Sequence, residues 1–197
     1  MAESWRLFIA LELPPAIRAE LTRIQDHLKK HAQPKTIRWV NPDSIHLTLK
    51  FLGDVPIVKR SNLERALSAA VKGHTPFELA TSELGCFPNM KRPRVTWIGL
   101  HQNLDVLSAL RDSVEEHIAP LGFPTENRPF NPHLTLGRVR KEARRSDVEQ
   151  IAGLIASAPS RKPVRFQVTA VSLFRSELQP TGAIYTTLYH APLAAEK

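Results

Sequence analysis

The tetrapeptide His-Leu-Thr-Leu occurs twice, at residues 46–49 and 133–136, 87 positions apart. Each copy alternates polar and apolar side chains. Successive side chains of a β-strand point to opposite faces. Each copy therefore reads as a strand that buries its leucines and presents an imidazole and a hydroxyl on the other face. If the two strands face each other, His46, Thr48, His133 and Thr135 converge on one small volume.

The surroundings of the two copies match. Residues 5–13 read as a buried strand ended by Pro14-Pro15, and Ile17, Leu21, Ile24 and Leu28 then fall on one face of a helix. Residues 36–40 read as a short extended run, and the first motif strand spans about 45–52, ending near Gly53. Ser61 and Glu64 have the spacing of a capping box before a second helix. Residues 77–84 read as a strand, and 94–100 as a strand feeding a helix with Leu107, Leu110, Val114 and Ile118 inward. The second motif strand runs to about Val139, followed by a Ser146/Glu149 capping pattern and strands over 164–174 and 184–190. His46 precedes Ser61 by 15 residues and His133 precedes Ser146 by 13. Trp97 follows His46 by 51 and Tyr185 follows His133 by 52. The order strand, helix, motif strand, helix, strand thus appears twice, and marks an internal duplication. Two such repeats are expected to pack about a pseudo-twofold axis.

The chemistry follows from the residue types. Near neutral pH one imidazole can accept a proton while another, protonated, donates one. Hydrolysis of a phosphodiester needs both: a base for the attacking water and an acid for the leaving oxygen. Each such group is worth roughly 10²–10⁴-fold. The threonine hydroxyls would hydrogen-bond the non-bridging oxygens. Two histidines are fewer ligands than zinc takes from protein even in open sites, and neither motif has a third ligand beside it, so no metal is expected. The net charge of +8, from 27 basic and 19 acidic residues, suits a polyanion such as nucleic acid. The single cysteine, Cys86, excludes an internal disulfide and fits a reducing compartment. The apolar start is too short for a signal h-region and no stretch approaches a membrane span, so a cytoplasmic protein is expected.

The paired motifs, their duplication and their flanks resemble the 2H phosphoesterase superfamily. They are most similar to its bacterial and archaeal RNA 2′,3′-cyclic phosphodiesterase family, historically called 2′-5′ RNA ligase. The stretches that carry the likeness are 6–11, 39–55, 93–99 and 130–138. The resemblance implies an α+β fold of two lobes around a cleft, each lobe with an antiparallel sheet and flanking helices. It implies a single domain over 1–197 with elements exchanged between pseudo-symmetric lobes. It also implies hydrolysis of 2′,3′-cyclic phosphate RNA or nucleotide ends to 2′-phosphomonoesters without metal or other cofactor, and possible reversible 2′-5′ ligation. Opening the ring to the 2′ product makes the 3′ oxygen the leaving group. His46 is assigned as its proton donor and His133 as the proton acceptor of the water, although the sequence by itself does not distinguish which of the two is acid and which base.

Two further positions match the family pattern. Phe51 and Arg138 each lie five residues after their histidine. Arg138 would contact phosphate and Phe51 a base or sugar. Strict strand parity puts both on the wrong face, although a bulge at Gly137 would re-aim Arg138. The basic loop over 87–94 is a further candidate for RNA phosphates. Two other readings remain: a related enzyme acting on a small cyclic nucleotide, a cyclic ADP-ribose phosphate or an oligoadenylate, and a non-catalytic RNA-end binding module. No obligate protein partner is expected, and the default is a monomer.

Overall fold

The strand–helix–strand order written twice in the sequence builds two antiparallel sheets backed by helices. The computed structural model describes residues 3–158, 161–179 and 182–194. The first half runs through β1 (Ser4–Leu11), α1 (Pro15–His31), β2 (Ile37–Trp39), β3 (Leu47–Pro56), α2 (Arg60–Ala70) and β4 (Phe77–Phe87). The second contains β5 (Val95–His101), α3 (Leu104–Ile118), β6 (His133–Val139), α4 (Arg145–Ala156), β7 (Arg165–Val168), β8 (Ala170–Gln179) and β9 (Gly182–Pro192). One sheet has the strand order β3-β1-β8-β9 and the other β2-β6-β5-β4-β7. The expected α+β class, with duplicated antiparallel sheets, is the one the chain adopts. Each motif strand pairs with the strand that opens its own half: β3 with β1, β6 with β5.

The apolar faces meet in one continuous core. Leu7, Ile9 and Leu11 of β1 pack with Leu47 and Leu52 of β3, the inward stripes of α1, α2 and α3, and Leu134 and Leu136 of β6. The stripes predicted for α1 and α3 are almost fully buried, with Ile17, Leu21, Ile24, Leu107, Leu110, Val114 and Ile118 all at 0% exposure. A smaller cluster of Ile37, Cys86, Val139, Ile151 and Ile155 seats α4 at one end of the second sheet. With the helices on one face of each sheet, the opposite faces are left for the motifs.

Local details differ from the sequence reading. Neither capping box forms. α2 and α4 begin one residue before Ser61 and Ser146, and no side chain caps either helix. Glu64 and Glu149 instead bond Arg60 and Arg145, at 2.6 Å and 2.9 Å, because an arginine four residues upstream offers a charged partner. The turn Ile57–Lys59 also runs directly into α2, and its Ile57 carbonyl accepts the Arg60 N–H. β3 continues past Gly53 to Pro56, because β1 keeps pairing with it as far as Ser4. β4 extends to Phe87 and shortens the basic loop. The single strand expected over 164–174 is two: β7 edges one sheet and β8 lies inside the other.

Candidate active site

Both motifs deviate from a regular strand at the same place, and the deviation builds the site. Along β6, Thr135 pairs with Trp97 but Gly137 pairs with Thr96, so Leu136 is an extra, unpaired residue. Along β3, Thr48 pairs with Ala10 but Lys50 pairs with Ile9, so Leu49 is the extra residue. Both bulges fall three positions after the histidine. A bulge resets which face the following residues take. Thr135 and Arg138 consequently share a face, since their β5 partners Trp97 and Val95 are two apart. Phe51 opposite Phe8, and Thr48 opposite Ala10, share a face by the same reasoning. Residues five after each histidine therefore return to the histidine side, and both Phe51 and Arg138 are exposed there. The objection from strict parity is thus removed in both halves.

The carbonyl freed at the second bulge does not go unpaired. Leu136 O accepts from Val40 N at 3.0 Å and from the amide of Gln25, a fully buried residue of α1, at 2.9 Å. Gly137 has a different task from the one its sequence position suggested. A Cβ there would lie 2.5 Å from Ile37 Cγ2, so glycine is what lets β2 close on β6.

Each imidazole is held the same way. His46 Nδ1 lies 3.0 Å from Ser44 O, and His133 Nδ1 lies 2.7 Å from Asn131 O. A carbonyl only accepts, so Nδ1 carries the hydrogen in both rings and Nε2 is the nitrogen free to exchange a proton. The sequence supplies the carbonyl from the residue two before each histidine, and a proline stands between Asn131 and His133.

Aromatic rings enclose both histidines; of these only Phe87 entered the sequence-based site, as the first residue of the 87–94 loop. His46 stacks on Phe8 at 4.5 Å, has Phe174 at 6.1 Å and meets Tyr185 edge-on at 5.0 Å. His133 has Phe87 edge-on at 4.8 Å and Trp97 at 6.2 Å. Burial lowers the His46 pKa from 6.5 to about 4, against the opposing pull of the Ser44 carbonyl. Burial also lowers that of His133, the Asn131 carbonyl opposes this, and the charge of Arg138 lowers it further. Burial thus favours the neutral form of both rings.

One residue ties the two sheets together electrostatically. Burial raises the pKa of the Tyr185 phenol, and the charges of Arg138 and Arg6 pull it back. Tyr185 stands in the His46 sheet and Arg138 in the His133 sheet, so charge on one motif face acts on the other. Phe51 is 6.0 Å from Phe8 and 68% exposed, which leaves its ring free on the His46 face. Among the described residues no protein hydrogen bond engages the Thr48 or Thr135 hydroxyl, and no group of three or more His, Cys, Asp or Glu stands together as metal ligands.

Buried polar side chains brace the approaches. Lys50, next to the first bulge, pairs with Glu115 of α3 and donates to Pro124 O at 2.8 Å. Glu115 also accepts from Glu126 N at 3.3 Å. This links the first motif strand to the loop that delivers Asn131 and His133. In the row that crosses the first sheet from Thr48 through Ala10, Ser172 Oγ lies 3.0 Å from Glu12 Oε1 and 2.9 Å from His190 Nδ1. His190 is one of the six histidines outside the motifs, and its partners were not legible in the sequence.

Comparison with known proteins agrees with this architecture. The model of the LigT-like phosphoesterase family matches twice, over residues 11–97 and 98–185. A curated relative from Methanothermobacter thermautotrophicus, named RNA 2′,3′-cyclic phosphodiesterase, is 37% identical over 93% of this chain and 96% of its own length. One of the same name from Archaeoglobus fulgidus is 33% identical over 93% of this chain and 97% of its own. Among solved structures, E. coli LigT complexed with 3′-AMP superposes with a TM-score of 0.74 at 30% identity, covering 98% of this chain and 99% of that one. Two matched motif strands, two bulges at the same offset and two histidines held through Nδ1 are thus found in a chain that belongs to the LigT-like phosphoesterase family of the 2H superfamily.

Proposed function

We propose that this protein hydrolyses 2′,3′-cyclic phosphate termini of RNA to 2′-phosphomonoesters, with its own side chains and no metal ion. The observation that carries the reading is the matched pair His46 and His133, each with Nδ1 fixed by a backbone carbonyl and Nε2 left to exchange a proton. Relatives carrying the name RNA 2′,3′-cyclic phosphodiesterase over most of this length support the substrate class.

In this reading the cyclic phosphate sits between the two imidazoles. His133 Nε2 takes a proton from water as the water oxygen bonds to phosphorus. The bond from phosphorus to the 3′ oxygen breaks, and His46 Nε2–H gives its proton to that oxygen. The products are a 2′-phosphomonoester and a free 3′ hydroxyl. Burial disfavours the imidazolium at both positions, so the donor role of His46 depends on the bound phosphate's raising its pKa. The anionic substrate supplies the missing proton's stabilisation, since a negative charge beside an imidazole favours its protonated form. Arg138 and the Thr48 and Thr135 hydroxyls stabilise the developing charge on the non-bridging oxygens. Phe51 offers its exposed ring to the terminal base. The same steps with a 5′ hydroxyl of RNA in place of water join ends through a 2′-5′ linkage, and in reverse they cleave it with the two histidine roles exchanged. The protein acts as a monomer in the cytoplasm. Among the described residues no helix is long and apolar enough to cross a membrane.

The test is incubation of EDTA-treated protein with a cyclic-phosphate RNA oligomer and with 2′,3′-cyclic mononucleotides. Turnover to 2′-phosphates is expected. A 3′-phosphate product would overturn the donor and acceptor assignment, and no turnover of either substrate would overturn the reading.

A further inference from the structure

In the second sheet, Arg38 of the edge strand β2 lies directly opposite Arg138 of β6. Arg138 in turn lies opposite Val95, and Val95 opposite Phe87. These four form one row across the sheet. Phe87 contacts His133, and Arg138 shares the face of Thr135, so the row belongs to the motif face. Ile37 and Trp39, the neighbours of Arg38, turn to the other side and pack in the apolar clusters. Arg38 is therefore the outermost member of the row that leads from the site to the sheet edge.

Two like charges directly opposite on antiparallel strands are destabilising, and paired Cα atoms stand only about 5 Å apart. Proteins normally relieve such a pair with a carboxylate. In the first sheet Arg6 lies opposite an acidic residue, Asp54. Arg38 and Arg138 have no such relief. Both are exposed. Among the described residues neither is within 4.0 Å of a carboxylate oxygen. More positive charge gathers at the same end. Arg94 O accepts from Val139 N at 2.9 Å, and Arg140 N donates to Thr36 O at 2.9 Å, which brings two further arginines to the margin of this row.

We infer that Arg38, beside Arg138, binds a second phosphate of the substrate, the internal phosphodiester next to the reacting terminus. The site then selects polynucleotide ends over mononucleotides. This inference rests on the proposed hydrolysis of RNA ends and adds to it a determinant of substrate length. The guanidinium fork suits a phosphate held by two N–H donors. An arriving backbone supplies the anion that the sheet lacks, so binding and relief of the cross-strand repulsion coincide. Arg38 touches no reacting atom in this arrangement; it fixes the register of the strand that carries them.

The experiment compares Arg38→Gln with the wild type on two substrates: a cyclic-phosphate RNA tetramer and a 2′,3′-cyclic mononucleotide, which has no internal phosphodiester. The ratio of kcat/KM for tetramer over mononucleotide is expected to fall about tenfold, mostly through KM. The salt dependence of tetramer binding is expected to lose about one phosphate's worth of slope, roughly 0.7 for a single strand. The Tm of Arg38→Gln should equal or exceed that of the wild type, because a repulsion is removed, and this separates lost binding from lost folding. Arg38→Lys, which keeps the charge and loses the fork, should keep the salt slope. Equal losses on both substrates would place Arg38 on the reacting phosphate and overturn the inference; so would an unchanged ratio. If the wild type turns over neither substrate, the hydrolytic reading fails separately. The second-phosphate site is then judged by binding of a 2′-phosphorylated tetramer against a 2′-mononucleotide, and an equal effect of Arg38→Gln on the two would overturn it.

Discussion

The phenol ring of Tyr185 meets the imidazole of His46 edge-on, with centroids 5.0 Å apart and ring planes at 89°. Tyr185 lies 52 residues after the other motif histidine, His133, yet it packs on His46. Trp97, 51 residues after His46, packs instead near His133. Each motif histidine thus has one ring of its aromatic wall from a strand that follows the opposite motif in the chain. The wall sets the acidity of His46, because burial is the main cause of its lowered pKa. Replacing Tyr185 with Ala should raise the His46 pKa from about 4 by a unit or more, as followed by NMR titration. Tyr185→Phe keeps the ring and should leave it nearly unchanged. An unmoved His46 in Tyr185→Ala would mean that Phe8 and Phe174 alone exclude water.

The same depressed acidities fix the pH dependence of turnover. The competent free enzyme holds one proton on the histidine pair. One pKa is about 4 and the other lies below 6.5, so this form peaks on the acid side of 6.5 and is lost as pH rises further. The profile of kcat/KM should be a bell with its maximum between these values, falling about tenfold per pH unit on the alkaline limb. The profile of kcat should lie at higher pH, because the bound anion raises both pKa values. A kcat/KM maximum above pH 7.5 would contradict this.

Stability carries the same signature with a defined sign. His46 binds its proton less readily folded than unfolded, so its contribution is complete above pH 6.5 and is lost as pH falls from 6.5 toward 4. The loss amounts to about 3 kcal/mol at most. Urea midpoints measured from pH 7 to pH 4 should fall more for the wild type than for His46→Gln, which has no group to titrate at that position.

Much of this was legible in advance. The duplicated tetrapeptide announced both the motif strands and their partnership, because strict alternation with Leu47 and Leu134 inward leaves no other face for the histidines. The amphipathic stripes of α1 and α3 were equally plain. Phe8 was hidden for a physical reason. β1 is apolar on both faces, so its site face, with Phe8 and Ala10, cannot be told from its core face, with Leu7 and Ile9, by periodicity. The bulges were hidden because the extra residues, Leu49 and Leu136, look like ordinary core leucines. What frees the second of them is a hydrogen bond from Gln25, 111 residues away. The capping boxes failed for the opposite reason: a real local signal lost to an equally local Arg–Glu pair.

Gly85 exposes how closely the His133 wall is fitted. It lies opposite Trp97, and a Cβ on it would come within 2.3 Å of the indole. The ring would have to swing away from the strand, and it packs on Phe87, which meets His133 edge-on. Gly85→Ala should lower kcat/KM about tenfold or more while costing about 1–3 kcal/mol of stability, the usual range for overpacking. Full activity in this variant would show that the position of Trp97 does not matter to His133.

Lys50 and Glu115 form a buried pair, and Arg111, 3.4 Å from the other carboxylate oxygen, is the cation left to Glu115 when Lys50 is removed. Lys50→Met should destabilise the protein by about 3 kcal/mol in urea titration, the low end for breaking a buried pair. Its loop partner Pro124 should also loosen, detected as faster hydrogen exchange over 124–132. A loss below 1 kcal/mol would mean that water reaches Glu115 and replaces the ammonium.

In the proposed mechanism His46 and His133 act on one phosphate as a unit. A double-mutant cycle on a cyclic-phosphate RNA oligomer, in EDTA and under single-turnover conditions, tests that most directly. Each of His46→Ala and His133→Ala should lower the rate by about 10²–10⁴-fold. The double variant should fall little further than the worse single one, because groups that act together in one transition state are not additive. Full activity in either single variant, or a double variant whose loss is the product of the two, would contradict the paired mechanism.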